Sequence, residues 1–260
     1  MSAPVVHPTA LVDPGAELAD GVHVGPNCVV GPRVILGPDC RLDAHVVLEG
    51  PTRVGPGCHF YPSSSIGSDP QDLKYDGEET RLEIGSCNRI REFVTVNRGT
   101  AGGGGVTTIG DSNLLMAYSH VAHDCRVGNR VIMANAATLA GHVAIEDDAI
   151  VGAFSGVHQF CRIGREAFIG GYSVVTQDAL PFVKTVGNRA RTFGINTVGL
   201  QRKGYPAATI EALQSAYRIL FRSKLSRDEA LQRLEGELAG VTEVREMVAF
   251  ISSSQRGVVR

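Results

Sequence analysis

The chain has 260 residues, 43% of them hydrophobic and 20% charged, with a formal net charge of −2. That length suits one large domain, or one domain and a small annex. The charge balance gives no global basic footprint for nucleic acid, and no apolar run approaches the length of a membrane span.

The first residues, MSAPVVHPTALVDP, lack the charged segment and long apolar run of a signal peptide. From Val6 an apolar residue then returns at every sixth position: Val12, Leu18, Val24, Val30, Leu36, Leu42, Leu48, Val54, Phe60 and Ile66. The residue four places later is small or β-branched for most of the run, as at Cys28, Val34, Cys40, Val46 and Cys58. Gly25, Gly31, Gly37 and Gly55 follow apolar positions directly and read as turn residues with positive φ. The polar stretch Ser68 to Glu83 interrupts the pattern, which resumes at Ile84, Ile90 and Val96. It slips across the glycine-rich loop GTAGGGG and then runs unbroken from Ile109 to Val175.

A period of six fits neither a helix nor an alternating strand. It predicts an all-β solenoid with one short strand and one turn per hexapeptide. The apolar residue and the one four later point inward. The two interruptions are loops on a rigid scaffold, where function concentrates. The period ends near Pro181. From Pro206 the stripe Ile210, Leu213, Tyr217, Leu220 and Phe221 predicts a helix, and Ser226 with Glu229 forms a capping-box pattern for another. The chain therefore divides into a solenoid over 1–186, with insertions near 68–83 and 99–108, and a C-terminal α-helical domain over 187–260.

In this frame His120, His123, His142 and His158 all fall at positions that do not point inward. With three hexapeptides per turn, as the family resemblance given below implies, Gly141 lies above His123 and Gln159 above Gly141. His123, His142, His158 and Gln159 are then expected to gather on one outer edge. Cys125 points inward like Cys28, Cys40, Cys58 and Cys161, as a small core filler rather than a nucleophile. No CxxC pair occurs, so the six cysteines read as reduced cytosolic thiols. A three-histidine zinc site is the rival reading of the edge. A general base is the reading the residues favour, because imidazole accepts protons near neutral pH and Asp124 stands beside His123 to orient it.

The hexapeptide period resembles that of the hexapeptide-repeat acyltransferases. The blocks QDLKY (71–75), NRIRE (88–92), HVAHDCRVGN, LAGHV (139–143), VHQFC (157–161), IGG (169–171) and FGIN…GLQRKG (193–204) narrow this. Together they resemble the acyl-carrier-protein–UDP-N-acetylglucosamine O-acyltransferases over essentially the whole chain. The resemblance implies a left-handed parallel β-helix with a small C-terminal α-helical domain. It also implies transfer of a 3-hydroxyacyl chain from acyl carrier protein to the 3-hydroxyl of UDP-N-acetylglucosamine, the first step of lipid A biosynthesis. No cofactor or metal is expected.

By the same resemblance His123 is the base, Asp124 its orienting partner and the Gly141 N–H an oxyanion donor. His120, His142, His158 and Gln159 contact substrate, as do Asp72 and Lys74 in the first insertion. Asn196 and Arg202 contact the nucleotide, and Gly171 limits acyl-chain length; a bare glycine implies a long chain. Arg189 and Val198 depart from the pattern, in which a histidine and an acidic residue are common, so a 3-amino sugar acceptor is the alternative. A CoA-dependent hexapeptide acyltransferase is a further one. The implied assembly is a cytoplasmic homotrimer with sites between subunits. Arg165, Arg202, Lys203, Arg218 and Arg222 offer positive charge to an acidic carrier protein.

Overall fold

The computed structural model describes residues 2–260. Two-residue strands recur at nearly every hexapeptide and stack into three sheets of 11, 9 and 8 strands. Every pairing among them is parallel until the last, where Val183–Val186 meets Arg191–Ile195 antiparallel. Partners such as Val29 and Val47, or His120 and Thr138, stand one full turn apart in sequence. Each turn thus visits all three sheets, and the chain winds a triangular prism.

The core follows from the two inward positions. Leu42, Phe60, Ile90, Leu115, Met133, Val151 and Ile169 stack along one sheet and are buried. Small residues fill the corners: Cys28, Val46, Cys58, Cys125, Ala137 and Cys161 are fully or almost fully buried. Burial of each large aliphatic side chain contributes about 1.5–3 kcal/mol. Corner thiols also meet a backbone carbonyl of the next turn, as Cys125 Sγ does with Ala140 O at 3.2 Å.

The corners correct one expectation. Gly25 and Gly37 do not take positive φ. A Cβ on Gly25 would lie 2.8 Å from Leu42 O, and one on Gly37 2.9 Å from Gly55 C. These glycines are there because the next turn's backbone passes too close for a side chain. Positive φ falls two residues later and is taken by nineteen non-glycine residues among those described, including Arg33, Phe93, Tyr118, Ala136 and Phe154. Left-handed backbone is costly for such residues. It recurs because each corner is held by hydrogen bonds from the turn beside it, such as His45 N to Pro26 O and Phe154 N to Asn135 O.

The two insertions fall between strands. Strand structure resumes at Arg81 after the first and at Val106 after the second. Register passes over both: Ile66 pairs with Val96, and Val96 with Val121. The prism therefore stays continuous while both loops project from it. The predicted boundary at 186/187 falls at the turn of the antiparallel hairpin. Helices then follow: α1 (Thr197–Arg202), α2 (Ala207–Arg222), α3 (Arg227–Glu237) and α4 (Thr242–Ser252). Ser226 and Glu229 form the predicted capping box on α3. Leu180, Phe182 and Val183 of the last turn pack with Leu200, Leu213 and Met247 into a second core that closes the end of the prism.

Candidate active site

His123 sits just past the strand His120–Val121, at the corner where the second sheet ends. The next residue, Asp124, takes the positive φ of the corner, and so does His142 one turn on. This backbone turns both side chains towards the same place. His123 Nδ1 and Asp124 Oδ2 are 2.8 Å apart, and the His123 and His142 rings meet edge to face with centroids 5.2 Å apart. The Asp124 side chain is 1% exposed and that of His123 is 13% exposed, so the pair is shielded from water.

What satisfies the buried carboxylate is the second insertion. Thr100 donates its backbone N–H to Asp124 Oδ1 at 2.8 Å and its hydroxyl to Oδ2 at 2.6 Å. The Asp124 backbone N–H donates to Thr107 Oγ1 at 2.8 Å. Thr100 and Thr107 were not singled out by the repeat, since Thr100 lies in the insertion and Thr107 in the strand Val106–Ile109 directly after it. The position of the insertion was the only signal.

Gly141 lies over His123 as the register predicts. A Cβ there would stand 2.6 Å from His123 Cε1 and 2.8 Å from Nε2. The backbone N–H of Gly141 has no acceptor among the described residues, while the His142 N–H donates to His123 O at 3.1 Å. An imidazole nitrogen and a free N–H thus share one small space. That pairing suits removal of a proton beside a developing oxyanion.

His123, Asp124 and His142 also place three donor atoms within 4.8 Å of one another, as a metal site would. The carboxylate, however, already accepts from His123 and twice from Thr100. A hydrogen-bonded relay accounts for the cluster without a cation.

His120 points outward from its strand, with Nδ1 2.7 Å from Thr95 Oγ1. Burial, and secondarily the charge of His123, lowers its pKa. Burial also lowers that of His142, against the opposing pull of Asp124. Both rings are therefore neutral at pH 7. A folded-state pKa below the unfolded value of about 6.5 gives stability that is complete above that pH and lost as pH falls through the folded value. The urea midpoint should drop between pH 7 and pH 5, and drop less in His142→Gln; equal slopes for the two proteins would refute this.

The first insertion reaches the same corner. The charge of Asp72 acts on His142, and Asp72 Oδ1 accepts the Lys74 N–H at 3.0 Å in a tight turn. Arg98, buried beneath the loop, donates to Gly67 O and pairs with Asp69 and Tyr75. Phe160 stacks on His142 with centroids 4.4 Å apart, an aromatic neighbour the sequence did not flag.

Other expected members are placed differently. His158 and Gln159 are exposed, and His158 Nδ1 turns to its neighbour's carbonyl and to Arg256 rather than to the other histidines. Asn196 is the N-cap of α1: its Oδ1 accepts from Gly199 N and its Nδ2 donates to Glu166 O. Glu166 lies at the corner after the third sheet, so Asn196, and Arg202 at the end of the same helix, are not brought to His123 of their own chain. Gly171 is exposed on yet another corner, beside the stacked pair Phe154 and Tyr172. Two members of the expected basic patch are neutralised in place: Arg165 pairs with Glu246, and Lys203 with Asp148 and Glu166. Arg202, Arg218 and Arg222 form no ion pair among the described residues.

Cys125 is fully buried, and burial pushes its thiol up to about 12. It cannot supply a thiolate nucleophile near neutral pH.

Known proteins share this architecture throughout. Residues 178–259 match the family profile described as UDP N-acetylglucosamine O-acyltransferase, domain 2, and residues 107–141 match that of the bacterial transferase hexapeptide. The chain is 52% identical over 255 residues to an acyl-[acyl-carrier-protein]–UDP-N-acetylglucosamine O-acyltransferase of Alkalilimnicola ehrlichii, covering 98% of this chain and 99% of that protein. It is 49% identical over 260 residues to the protein of the same name from Burkholderia orbicola, covering 98% and 99%. Among solved structures, LpxA of Acinetobacter baumannii superposes with a TM-score of 0.96 at 44% identity, covering 98% of this chain and 100% of that one. The shared fold is the left-handed parallel β-helix with a small helical C-terminus. With relatives of this identity over nearly its full length, the chain belongs to the acyl-[acyl-carrier-protein]–UDP-N-acetylglucosamine O-acyltransferase family of hexapeptide-repeat acyltransferases.

Proposed function

We propose that this protein transfers a 3-hydroxyacyl chain from an acyl carrier protein thioester to the 3-hydroxyl of UDP-N-acetylglucosamine, opening lipid A biosynthesis, with His123 as general base. The observation that carries the base is the short bond from His123 Nδ1 to a shielded Asp124, which leaves Nε2 facing Gly141. His123 Nε2 takes the proton of the sugar hydroxyl as its oxygen attacks the thioester carbonyl carbon. The carbonyl oxygen becomes an oxyanion, and the Gly141 N–H donates to it. Collapse breaks the carbon–sulfur bond, and the imidazolium returns its proton to the departing thiolate. Asp124 stays ionised throughout and stabilises the imidazolium. No acyl-enzyme forms, in keeping with the buried thiol of Cys125.

The proposal includes a homotrimer. Asn196 and Arg202 stand at a different corner from His123, so they serve a nucleotide only if they belong to a neighbouring copy's site. Leu73 is fully exposed at the tip of the loop that carries Asp72 and Lys74, as a residue reaching for a second subunit would be. We also place the reaction in the cytoplasm, where six free thiols are at home. His120, His142, His158, Gln159, Asp72 and Lys74 are proposed substrate contacts, with Arg202, Arg218 and Arg222 facing the acidic donor.

The test is incubation with UDP-N-acetylglucosamine and 3-hydroxyacyl carrier proteins of graded length, read by mass. The bare Gly171 predicts that a fourteen-carbon donor outruns a ten-carbon one; the reverse order would remove Gly171 as the determinant. Val198 is exposed on α1, and Arg189 is exposed at the hairpin turn. Absence of product with every donor would turn attention to these two positions and to the 3-amino sugar.

A further inference from the structure

We infer that Thr100 is a positioning residue that fixes the tautomer of His123 through Asp124; this rests on the general-base reading above. The second insertion folds into a 3₁₀ turn, Ala101–Gly103, and Thr100 caps it. The Gly103 N–H is shared between Thr100 O at 3.0 Å and Thr100 Oγ1 at 3.2 Å. With that lone pair taken, the single hydroxyl hydrogen is directed at Asp124 Oδ2, 2.6 Å away. The Thr100 N–H holds Oδ1 at 2.8 Å. One residue thus grips both carboxylate oxygens, and Oδ2 meets His123 Nδ1 at 2.8 Å, with His142 Nε2 farther off at 3.8 Å.

Gly103 lies flat on that carboxylate, and a Cβ there would overlap it. Water is excluded, since the Asp124 side chain is 1% exposed and Thr100 is 7% exposed. A shielded carboxylate has no solvent to replace a lost donor. The run is therefore Gly103 N–H to Thr100 O–H to Asp124 Oδ2, which receives His123 Nδ1–H from the other side. It keeps the proton on Nδ1 and the lone pair on Nε2, the nitrogen beside Gly141. The insertion breaks the hexapeptide frame at the point where it can deliver this grip.

The experiment compares Thr100→Val and Thr100→Ser with the parent in two readouts. The first is steady-state acyl transfer. Thr100→Val should lower kcat by roughly 10- to 100-fold, as expected for one lost hydrogen bond to a charged group, with KM for the nucleotide sugar within about twofold. Thr100→Ser should restore kcat to within about threefold of the parent. The second is the nitrogen NMR of the His123 ring in the ligand-free protein. It should report the Nδ1–H tautomer in the parent and the serine variant, and a mixture of tautomers in the valine variant. An unchanged tautomer with unchanged kcat in Thr100→Val overturns the inference. So does a loss that serine fails to rescue. If Thr100→Val does not fold, the serine variant and the parent tautomer still decide, because an Nε2–H ring in the parent refutes the relay. The tautomer needs no substrate, so failure of acyl transfer itself would refute the proposed reaction and leave this reading to the spectrum.

Discussion

His123→Ala is expected to lower kcat for acyl transfer by about 100- to 10,000-fold, the usual worth of a general base, while KM for the nucleotide sugar changes little. The asymmetry between kcat and KM follows from geometry. Nδ1 is spent on Asp124, so only Nε2 is free to act, and it faces the space under Gly141. No neighbour can substitute. His142 is held with its ring across that of His123 and stacked on Phe160, and His120 is engaged with Thr95. Mass detection of product over time with saturating donor measures the effect. A variant that kept more than about a tenth of the parent rate would remove His123 from the mechanism and leave positioning and the oxyanion donor as its whole basis.

Gly141→Ala is expected to lower kcat by about 100-fold although it removes no functional group, because roughly 1 Å of misplacement at a reacting centre costs that much. The new Cβ would sit 2.6 Å from His123 Cε1. His123 cannot simply yield, since Asp124 holds its Nδ1 and Asp124 is itself fixed by Thr100. Either the ring turns away from the carboxylate or the corner opens and moves the Gly141 N–H. Both outcomes spoil the site. The double variant His123→Ala with Gly141→Ala separates this from general damage. With the ring gone, the methyl has room, so the double variant should be no slower than His123→Ala alone. Additive losses in that cycle would show that alanine at 141 acts elsewhere.

Both effects depend on a stacking that follows from the spacing once the family resemblance supplies three hexapeptides per turn. Gly141 over His123 follows from the turn length, and the inward Cys125 follows from the hexapeptide frame; the structure has both. The capping box at Ser226 was equally legible, because its signal is local. Spacing was misleading at Gly25 and Gly37. A glycine beside a turn suggests positive φ, yet what excludes a side chain there is the backbone of the next turn. His158 stands two residues out of the His142 column, and its ring lies against Arg256, a residue from the far end of the chain.

The period of six is written in the chain, and with three hexapeptides per turn it makes a prism. Strands repeat at fixed length, so hydrogen bonding between turns locks every in-frame residue to a face and to a neighbour above and below. That is why the family blocks and the His123–Gly141 column could be placed before any coordinates. Where the frame is broken, long-range contacts set the outcome. Thr100 leaves the frame inside an insertion, and its bonds to Asp124 depend on how that loop folds back over the corner. Asn196 and Arg202 lie past the last regular turn, where no register carries over, and packing of α1 against the final coil sets them at a corner away from His123. Regular backbone propagates position along the prism; loops and helix docking take theirs from contacts between residues distant in the chain.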